Sequence, residues 1–326
     1  MKLLTAIVFA VALAGCDKAA TSPDPVVTPP VVTPPPPAAP TLACPSPVTA
    51  TTTGTGTTIS YAAPSAEGGQ SPVSVECLPA SGSTFPIGST EVRCTASDAL
   101  NRSASCVFPI TVSKLATISK TKFVAFGDSI TVGVVATDNP SPPPPYLLTN
   151  VPDQSYPTVL RQLLAARYRT QTITVLNEGL GGQKAVDAVG RAFSTFNATR
   201  PEGALILIGY NDLSNGGEQA IDPAIAAISD MVKDARFRGA RVFLGTLTPP
   251  IPNVNKGIGN ITIVRFNEKL KDMARGENAI LVDLYAAMAG DAARYNSADG
   301  RHLSIEGYRK VAETFFAAIQ AEFENK

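Results

Sequence analysis

The feature that most constrains this chain is a series of five short apolar runs in its C-terminal part. They read KFVAFGDS, TITVLNEG, GALILIGYND, ARVFLGTL and AILVDLY, and segments with helical periodicity or loop residues separate them. Apolar runs of this length that alternate with helices are typical of parallel strands buried between two helical layers. We therefore predict an α/β domain over residues 120–326, in which ligands bind beyond the carboxyl ends of the strands.

The N-terminus has the pattern of an export sequence. Lys2 precedes an apolar run, from Leu3 to Leu13, that is too short for a permanent membrane helix. The end of this run, up to Cys16, resembles the lipobox of bacterial lipoproteins, in which cleavage before the cysteine leaves it acylated. We expect a signal peptide over residues 1–15 and a lipid anchor on Cys16, so that the protein faces the periplasm or the cell exterior. An ordinary secretory signal with an incidental cysteine is the alternative, and the choice between inner and outer membrane stays open.

Residues 16–41 are a proline-rich linker that cannot build a core and favours an extended polyproline conformation. Without the export sequence and this linker, the remaining length suggests two globular units of unequal size. The 27 basic and 27 acidic side chains give a formal net charge of zero. Because phosphate backbones demand a basic surface, we do not expect a nucleic-acid partner. A small-molecule or polysaccharide substrate fits better, and we expect a monomer.

The segment after the linker has the features of a small all-β domain. In TEVRCTA and SCVFPITV, apolar residues alternate with polar ones, which predicts two half-buried strands joined by a turn at 98–101. Two disulfides are expected in an exported protein, with three connectivities open, and the lack of a CxxC spacing argues against a metal site. The four cysteines concerned are Cys44, Cys77, Cys94 and Cys106.

The stretch FPIGSTEVRCTASDALNRSASCVFPITV resembles a hyalin repeat (HYR) module. The resemblance extends over residues 42–114 and implies an Ig-like sandwich. It departs from the usual pattern at Leu100 and Asn101, where a glycine-asparagine turn is common. The module either spaces the C-terminal domain from the membrane or binds a glycan, and we favour the spacer.

Four motifs whose side chains could take part in a reaction lie at or after the ends of predicted strands. They are GDSIT at 127–131, NEGLGG at 177–182, GYND at 209–212, and the pair formed by Asp299 and His302. The serine of the first can act as a nucleophile or only as a helix N-cap. The glycines of the second allow close backbone approach or form a plain turn. The asparagine of the third can stabilise an oxyanion or cap a helix. His302 is the only histidine of the chain, so a serine-histidine mechanism must use it.

The order GDSI, NxGxxG, GxND and DxxH resembles the sequence blocks of the SGNH (GDSL-type) hydrolase superfamily. This resemblance covers about residue 120 to the C-terminus and implies a flavodoxin-like, three-layer domain with a five-stranded parallel sheet. It also implies a serine esterase that forms an acyl-serine intermediate and needs neither a metal nor a cofactor. Ser129 would be the nucleophile, His302 the general base and Asp299 its orienting partner. The oxyanion hole would comprise Ser129, Gly182 and Asn211.

The sequence leaves several alternatives open. Asp128 and Asp212 are interpreted as loop supports, whereas a glycosidase that pairs them would leave Ser129 and His302 without roles. An adhesion or glycan-binding lipoprotein with an inactive hydrolase fold is the alternative from another class. The substrate can be an acetylated carbohydrate or a lipid ester, because specificity lies in loops that one sequence does not define. The long segment at 138–157 either contacts the acyl group, as a lid or a wall, or is a solvated insertion.

Overall fold

The computed structural model describes residues 35–141, 144–251, 254 and 258–325. The predicted signal peptide, Cys16 and most of the proline-rich linker lie outside the described residues. The chain divides into two compact units. In its described part, the smaller unit comprises residues 35–44 together with Ala63–Glu76 and Cys94–Cys106, and the larger one comprises Pro45–Ala62, Cys77–Arg93 and Val107–Lys326.

The N-terminal region is all-β in the residues that the structure describes. The strands are β1 (Thr41–Leu42), β2 (Val48–Thr52), β3 (Gly56–Ile59), β4 (Ala66–Glu67), β5 (Ser74–Leu78), β6 (Ser83–Pro86), β7 (Gly88–Ser97) and β8 (Ser103–Lys114). One sheet has the strand order β2-β8-β7-β5, and two smaller sheets pair β1 with β4 and β3 with β6. This strand content agrees with the all-β module expected from the sequence.

Alternation along β7 follows the burial of its side chains. Val92 and Ala96 are buried, whereas Glu91 is exposed, as a strand with one face against a core requires. The turn after β7 is held by the carboxylate of Asp98, which accepts hydrogen bonds from the backbone N–H groups of Leu100 (3.0 Å) and Arg102 (2.9 Å). The Asp98 side chain thereby stabilises the turn that the sequence pattern predicted at 98–101.

The cysteines of this region are oxidised. Cys44 is bonded to Cys106 across 62 residues of sequence. Cys77 and Cys94 are disulfide-bonded as well. The structure thereby selects among connectivities that cysteine spacing alone left open.

The C-terminal region contains a five-stranded, all-parallel sheet. Its strands are β9 (Lys122–Gly127), β12 (Thr174–Gly179), β13 (Gly203–Leu207), β14 (Arg241–Gly245) and β15 (Ile280–Val282). They lie in the order β12-β9-β13-β14-β15. Each of these five strands lies in one of the five apolar runs, so the predicted α/β architecture is confirmed.

Two further strands and nine α-helices complete the described part of this region. Within the described ranges, no helix is long and apolar enough to traverse a bilayer. The further strands are β10 (Val134–Asp138) and β11 (Tyr146–Asn150). The helices are α1 (Ser129–Val132), α2 (Tyr156–Arg167), α3 (Ala185–Thr199), α4 (Tyr210–Gly216), α5 (Ile221–Phe237), α6 (Asn260–Gly276), α7 (Leu284–Met288), α8 (Ala292–Tyr295) and α9 (Ile305–Phe323).

Helix α9 shows how the apolar pattern produces the helical layers. Its buried side chains recur at helical spacing and include Tyr308, Val311, Phe315 and Ile319. The helix begins after Ser304, whose hydroxyl oxygen accepts a hydrogen bond from the backbone N–H of Gly307 at 3.1 Å. Because α9 follows His302 so closely in the chain, its packing also holds the turn that carries the histidine.

The segment at 138–157 contains a strand that the sequence analysis did not predict. β11 pairs with β10 in an antiparallel hairpin, with Ala136 opposite Leu148. The base of the hairpin is attached to the body of the domain, since the N–H of Ala136 donates to Ser297 Oγ (3.1 Å) and Tyr308 Oη donates to the carbonyl of Val134 (2.6 Å). Leu147 and Leu148 are exposed. A lid or wall function for these leucines stays a prediction.

Candidate active site

The strand order places the motifs at a topological switch point of the sheet, where consecutive strands are added on opposite sides of β9. β9 lies in the interior of the sheet, β12 is on one side of it and β13 is on the other. Such a switch point opens a crevice beyond the carboxyl ends of the strands. Ser129 follows β9, Gly182 follows β12 and Asn211 follows β13, so all three residues belong to connections at this crevice.

The turn between β9 and α1 presents Ser129. A side chain at Gly127 would lie 2.2 Å from the carbonyl oxygen of Leu207 and 2.1 Å from Thr131 Oγ1, so that only glycine fits there. Asp128 caps α1 by accepting a hydrogen bond from the N–H of Ile130 at 3.0 Å. Ser129 is the first residue of the helix, which leaves its hydroxyl outside the helical hydrogen bonds.

Ser129, His302 and Asp299 form one hydrogen-bonded line. Ser129 Oγ lies 3.0 Å from His302 Nε2, and His302 Nδ1 lies 2.6 Å from Asp299 Oδ2. The other carboxylate oxygen of Asp299 accepts the backbone N–H groups of Arg301 (3.1 Å) and His302 (2.9 Å). The imidazole is almost completely buried. This arrangement can transfer a proton between the serine hydroxyl and the ring while the carboxylate holds the ring in place.

The turn that carries His302 is closed by backbone hydrogen bonds. Ser297 N donates to the carbonyl of His302 (2.7 Å), and Gly300 N donates to the carbonyl of Ser297 (2.9 Å). Gly300 has a φ of +70°, which glycine adopts without strain. A short, closed turn fixes the two side chains relative to each other, which explains why their spacing is three residues.

The structure brings Asn211 to the loop that contains Gly182. The side-chain Nδ2 of Asn211 donates to the carbonyl of Gln183 at 3.0 Å, and Gly182 has a φ of +75°. The same loop is tied to β9, because Leu180 N donates to the carbonyl of Gly127 at 3.0 Å. Backbone and amide N–H groups at this point can stabilise a negatively charged oxygen.

Arg191 supports this loop, and the sequence analysis missed it. Its guanidinium donates to Gln183 Oε1 (2.6 Å), the carbonyl of Glu178 (2.7 Å) and the carbonyl of Gly127 (3.1 Å). It also lies 3.9 Å from the centre of the Phe126 ring, a cation-π contact. Arg191 thereby connects the ends of two strands with the glycine loop. The position of Arg191 beside the apolar stripe of α3 was the feature of the sequence that could have indicated this role.

The carboxylates of Asp128 and Asp212 are both occupied by backbone N–H groups. That of Asp212 accepts from Ala185 (2.7 Å) and Val186 (3.3 Å), the first residues of α3. Burial raises the pKa of Asp212, although these hydrogen bonds act against it. Such contacts are those of loop supports, which is how the sequence analysis interpreted the two residues. Among the described residues, no three histidine, cysteine or carboxylate side chains are grouped to hold a metal ion.

Two acidic groups near Ser129 have opposite electrostatic environments. Burial raises the pKa of Asp128 to about 6, although the Ile130 N–H and the charges of His302 and Arg301 act in the other direction. Burial also acts to raise the pKa of Asp299, but the His302 ring and the two backbone N–H donors outweigh it, and the pKa lies below its usual range. Asp299 therefore stays ionised at neutral pH and favours a protonated nitrogen on the facing side of the ring.

The raised pKa of Asp128 predicts a pH-dependent loss of stability. A folded-state pKa of about 6 against an ordinary value near 4 means that the native state holds this proton more tightly than the unfolded state. Its contribution to stability is complete below about pH 4 and is lost as the pH rises through 6, by about 3 kcal/mol. An asparagine in place of Asp128 would keep the hydrogen-bond acceptor without titrating.

We therefore expect D128N to gain about 3 kcal/mol of unfolding free energy relative to the parent protein between pH 4 and pH 8. Denaturant unfolding at both pH values, followed by the helical circular dichroism, measures this difference. All helices of the described residues lie beyond residue 128, so the measurement reports the α/β region. If the unfolding free energies of D128N and the parent protein differed by the same amount at pH 4 and pH 8, the raised pKa of Asp128 would be contradicted.

A serine hydroxyl paired with an imidazole is suited to acyl transfer. The model of the GDSL-like lipase/acylhydrolase family matches residues 125–310, more than half of the chain. The chain belongs to the GDSL-like lipase/acylhydrolase family. The HYR domain model matches residues 36–112, so the N-terminal resemblance is confirmed too.

Individual proteins similar to this chain include a curated relative and several solved structures. A multidomain esterase of Ruminococcus flavefaciens is 28% identical over 160 residues, which are 48% of this chain and 20% of that protein. The match thus spans about a fifth of the relative's length. The lipase/acylhydrolase of Enterococcus faecalis is 21% identical with a TM-score of 0.52, covering 63% of this chain and 98% of the other. An Axe2 mutant, an acetyl-xylooligosaccharide esterase of Geobacillus, is 21% identical with a TM-score of 0.50, covering 62% and 94%. These structures support the fold.

Proposed function

We propose that this protein is a serine esterase that cleaves carboxylic esters through an acyl-serine intermediate. The observation that carries the proposal is the line of hydrogen bonds from Ser129 through His302 to Asp299. A serine hydroxyl is a weak nucleophile at its ordinary pKa and needs an adjacent base. The only imidazole of the chain lies within hydrogen-bonding distance of it.

The first half of the reaction acylates the enzyme. Ser129 Oγ attacks the ester carbonyl while its proton passes to His302 Nε2, and Asp299 stabilises the resulting imidazolium through Nδ1–H. The carbonyl oxygen becomes an oxyanion in the tetrahedral intermediate. When the intermediate collapses, the bond to the alcohol oxygen breaks, and that oxygen takes the proton from His302 as the alcohol leaves.

The second half restores the enzyme. A water molecule transfers a proton to His302 Nε2 as its oxygen attacks the acyl carbon. The bond to Ser129 Oγ then breaks, Ser129 recovers a proton from His302, and the carboxylic acid is released. The proposed oxyanion hole, formed by the N–H groups of Ser129 and Gly182 and the amide of Asn211, serves both tetrahedral intermediates.

The oxyanion role of Asn211 predicts a loss in kcat rather than in substrate affinity. Removing one donor of such a site costs about 10²–10³ in rate. We expect N211A to lower kcat by that factor with little change in KM, because the donor acts on charge that develops in the transition state. Steady-state kinetics on a short-chain nitrophenyl ester measures both constants. N197A, at the exposed end of α3, is the control. A KM increase at constant kcat would contradict the role.

The substrate and the location are parts of the same proposal. The HYR module and the disulfides support an exported protein, and the lipid anchor at Cys16 would hold it at a membrane surface. An acetylated polysaccharide would suit an enzyme on a spacer, and a lipid ester would suit the anchor. The structural neighbour from Geobacillus carries the name of an acetyl-xylooligosaccharide esterase. We propose acetylated carbohydrate as the first class to test.

A direct experiment separates catalysis from binding without knowledge of the substrate. A fluorophosphonate probe should label Ser129 covalently, and peptide mapping should locate the adduct. Hydrolysis of nitrophenyl esters of increasing chain length and of acetylated oligosaccharides then defines the acyl and alcohol preference. If the folded protein does not react with the probe and cleaves none of these esters, the second candidate function is favoured. This candidate is a glycan-binding or adhesion lipoprotein, and the HYR module is the observation that supports it.

A further inference from the structure

Arg301 extends from the turn that carries His302 to the helix that carries Asn211. Its backbone N–H donates to Asp299 Oδ1, and its Nη1 donates to Ser214 Oγ at 3.1 Å. Ser214 lies three residues after Asn211 on α4, which is about one helical turn. The guanidinium therefore connects the side of the site that holds the imidazole with the side that holds the amide.

The charge of Arg301 has no carboxylate partner in the part of the chain that the structure describes. Several other arginines of the domain have one, such as Arg238 with Asp234 (2.7 Å), Arg241 with Glu322 (2.7 Å) and Arg309 with Glu313 (3.0 Å). Arg191 is not in an ion pair among the described residues, but its guanidinium donates three hydrogen bonds to neutral oxygens. Arg301 is partly buried, and within the described residues its side chain makes one hydrogen bond, to the neutral hydroxyl of Ser214. Removing a cation from water without pairing it with an anion costs free energy. Such a cation is therefore uncommon in a folded protein unless it has a function.

The acidic groups nearby are committed to other partners. Asp299 is bonded to the His302 ring and to two backbone N–H groups. Asp128 is buried and accepts from Ile130, and Asp212 caps α3. The positive charge of Arg301 reaches Asp128 only as a long-range effect that lowers its pKa, against the larger effect of burial, which raises it. No intramolecular group therefore neutralises the guanidinium at contact distance among the described residues.

We propose that Arg301 binds a carboxylate of the substrate, so that the preferred esters carry a second, ionised carboxyl group. This inference rests on the proposed esterase function. A guanidinium has five N–H groups in a planar fork, of which Ser214 takes one, and the fork matches the two oxygens of a carboxylate. The carboxylate can belong to the acyl part, as in a half-ester of a dicarboxylic acid. It can also belong to the alcohol part, as in an acetylated uronic acid.

Two matched pairs of esters test the proposal and distinguish these sources. On the alcohol side, para-acetoxybenzoate is compared with its methyl ester, and on the acyl side, para-nitrophenyl hydrogen succinate is compared with para-nitrophenyl butyrate. In at least one pair, we expect the carboxylate-bearing ester to have a kcat/KM about tenfold or more above that of its neutral partner, as one charge-assisted pair provides. R301Q should abolish this preference, mainly through KM, and R301K should retain part of it.

Two further variants separate recognition from a merely structural role. S214A removes the hydrogen bond of the guanidinium and keeps its charge, so the preference for the carboxylate-bearing ester should persist in S214A. If Arg301 only linked the turn to the helix through Ser214, S214A and R301Q would instead lose the preference alike. R309Q, on the exposed side of α9, should leave both ester pairs unaffected. Equal kcat/KM values within both pairs, or a preference that persists in a folded R301Q, would overturn the inference. Failure of the parent protein to cleave any ester, neutral ones included, would instead overturn the proposed function.

Discussion

Replacing Ser129 with alanine is expected to lower kcat/KM for any ester substrate by about 10⁴–10⁶-fold. The loss is large because the acyl-enzyme cannot form without the hydroxyl that lies 3.0 Å from the only imidazole of the chain. The residual rate would come from binding and from the remaining oxyanion donors. Initial rates on a short-chain nitrophenyl ester measure the effect, with enzyme purified from a host strain that lacks contaminating esterases.

The control for this experiment is a serine of the same domain with no place in the proposed mechanism. Ser194 is exposed on α3 and donates to the carbonyl of Gly190 within its own helix. S194A should retain activity within about twofold, as surface substitutions usually do, and should still react with a fluorophosphonate. If S129A kept a rate comparable to that of S194A, the acyl-serine mechanism would be untenable.

Replacing His302 with alanine is expected to cost about as much as the loss of Ser129, and the double variant should be no worse than either single one. The reason is that the serine and the histidine act as one unit: the nucleophile without its base is a weak alcohol, and the base without the nucleophile has nothing to activate. The test is a double-mutant cycle on kcat/KM for the parent protein, S129A, H302A and S129A/H302A.

The folded state of H302A needs to be confirmed, because the ring is buried and packs in the turn before α9. Helical circular dichroism and the thermal midpoint serve for this, and H302Q is a second variant that keeps most of the side-chain volume. Independent roles would make the losses multiply in the double variant. Multiplied losses in folded protein would contradict the proposed serine-histidine pair.

The Arg301 proposal adds a prediction about substrates to this mechanism. The proposed catalysis by Ser129 and His302 demands only an ester carbonyl, so the four sequence blocks leave the substrate open. Specificity depends on side chains around the site, and Arg301 stands within the DxxH block itself, between the two residues that the family resemblance singles out. A carboxylate requirement would narrow the carbohydrate candidates to those that contain an acidic sugar or an acidic acyl group.

The parallel sheet is the part of the fold that the sequence predicted best. Strands buried on both faces must be apolar throughout, and β13, in which all five residues are buried, is recognisable for that reason. The same applies to the apolar stripe of α9. The β10–β11 hairpin was not predicted, because β11 contains the exposed Leu147 and Leu148 and follows a run of prolines, so that neither burial nor composition marked it as a strand.

By itself, the sequence determined the α/β class, the alternating strands of the N-terminal module and the identity of the residues at the strand ends, because these depend on periodicity and on local turn chemistry. Only the tertiary structure decided which cysteine bonds to Cys44, how Arg191 supports the glycine loop and that the guanidinium of Arg301 donates to Ser214 on α4. It also determined that Ser129 and His302, which are 173 residues apart, lie 3.0 Å from each other. These contacts join residues that are remote in the chain, and their distances follow from the packing of the whole sheet and its helices rather than from any local pattern.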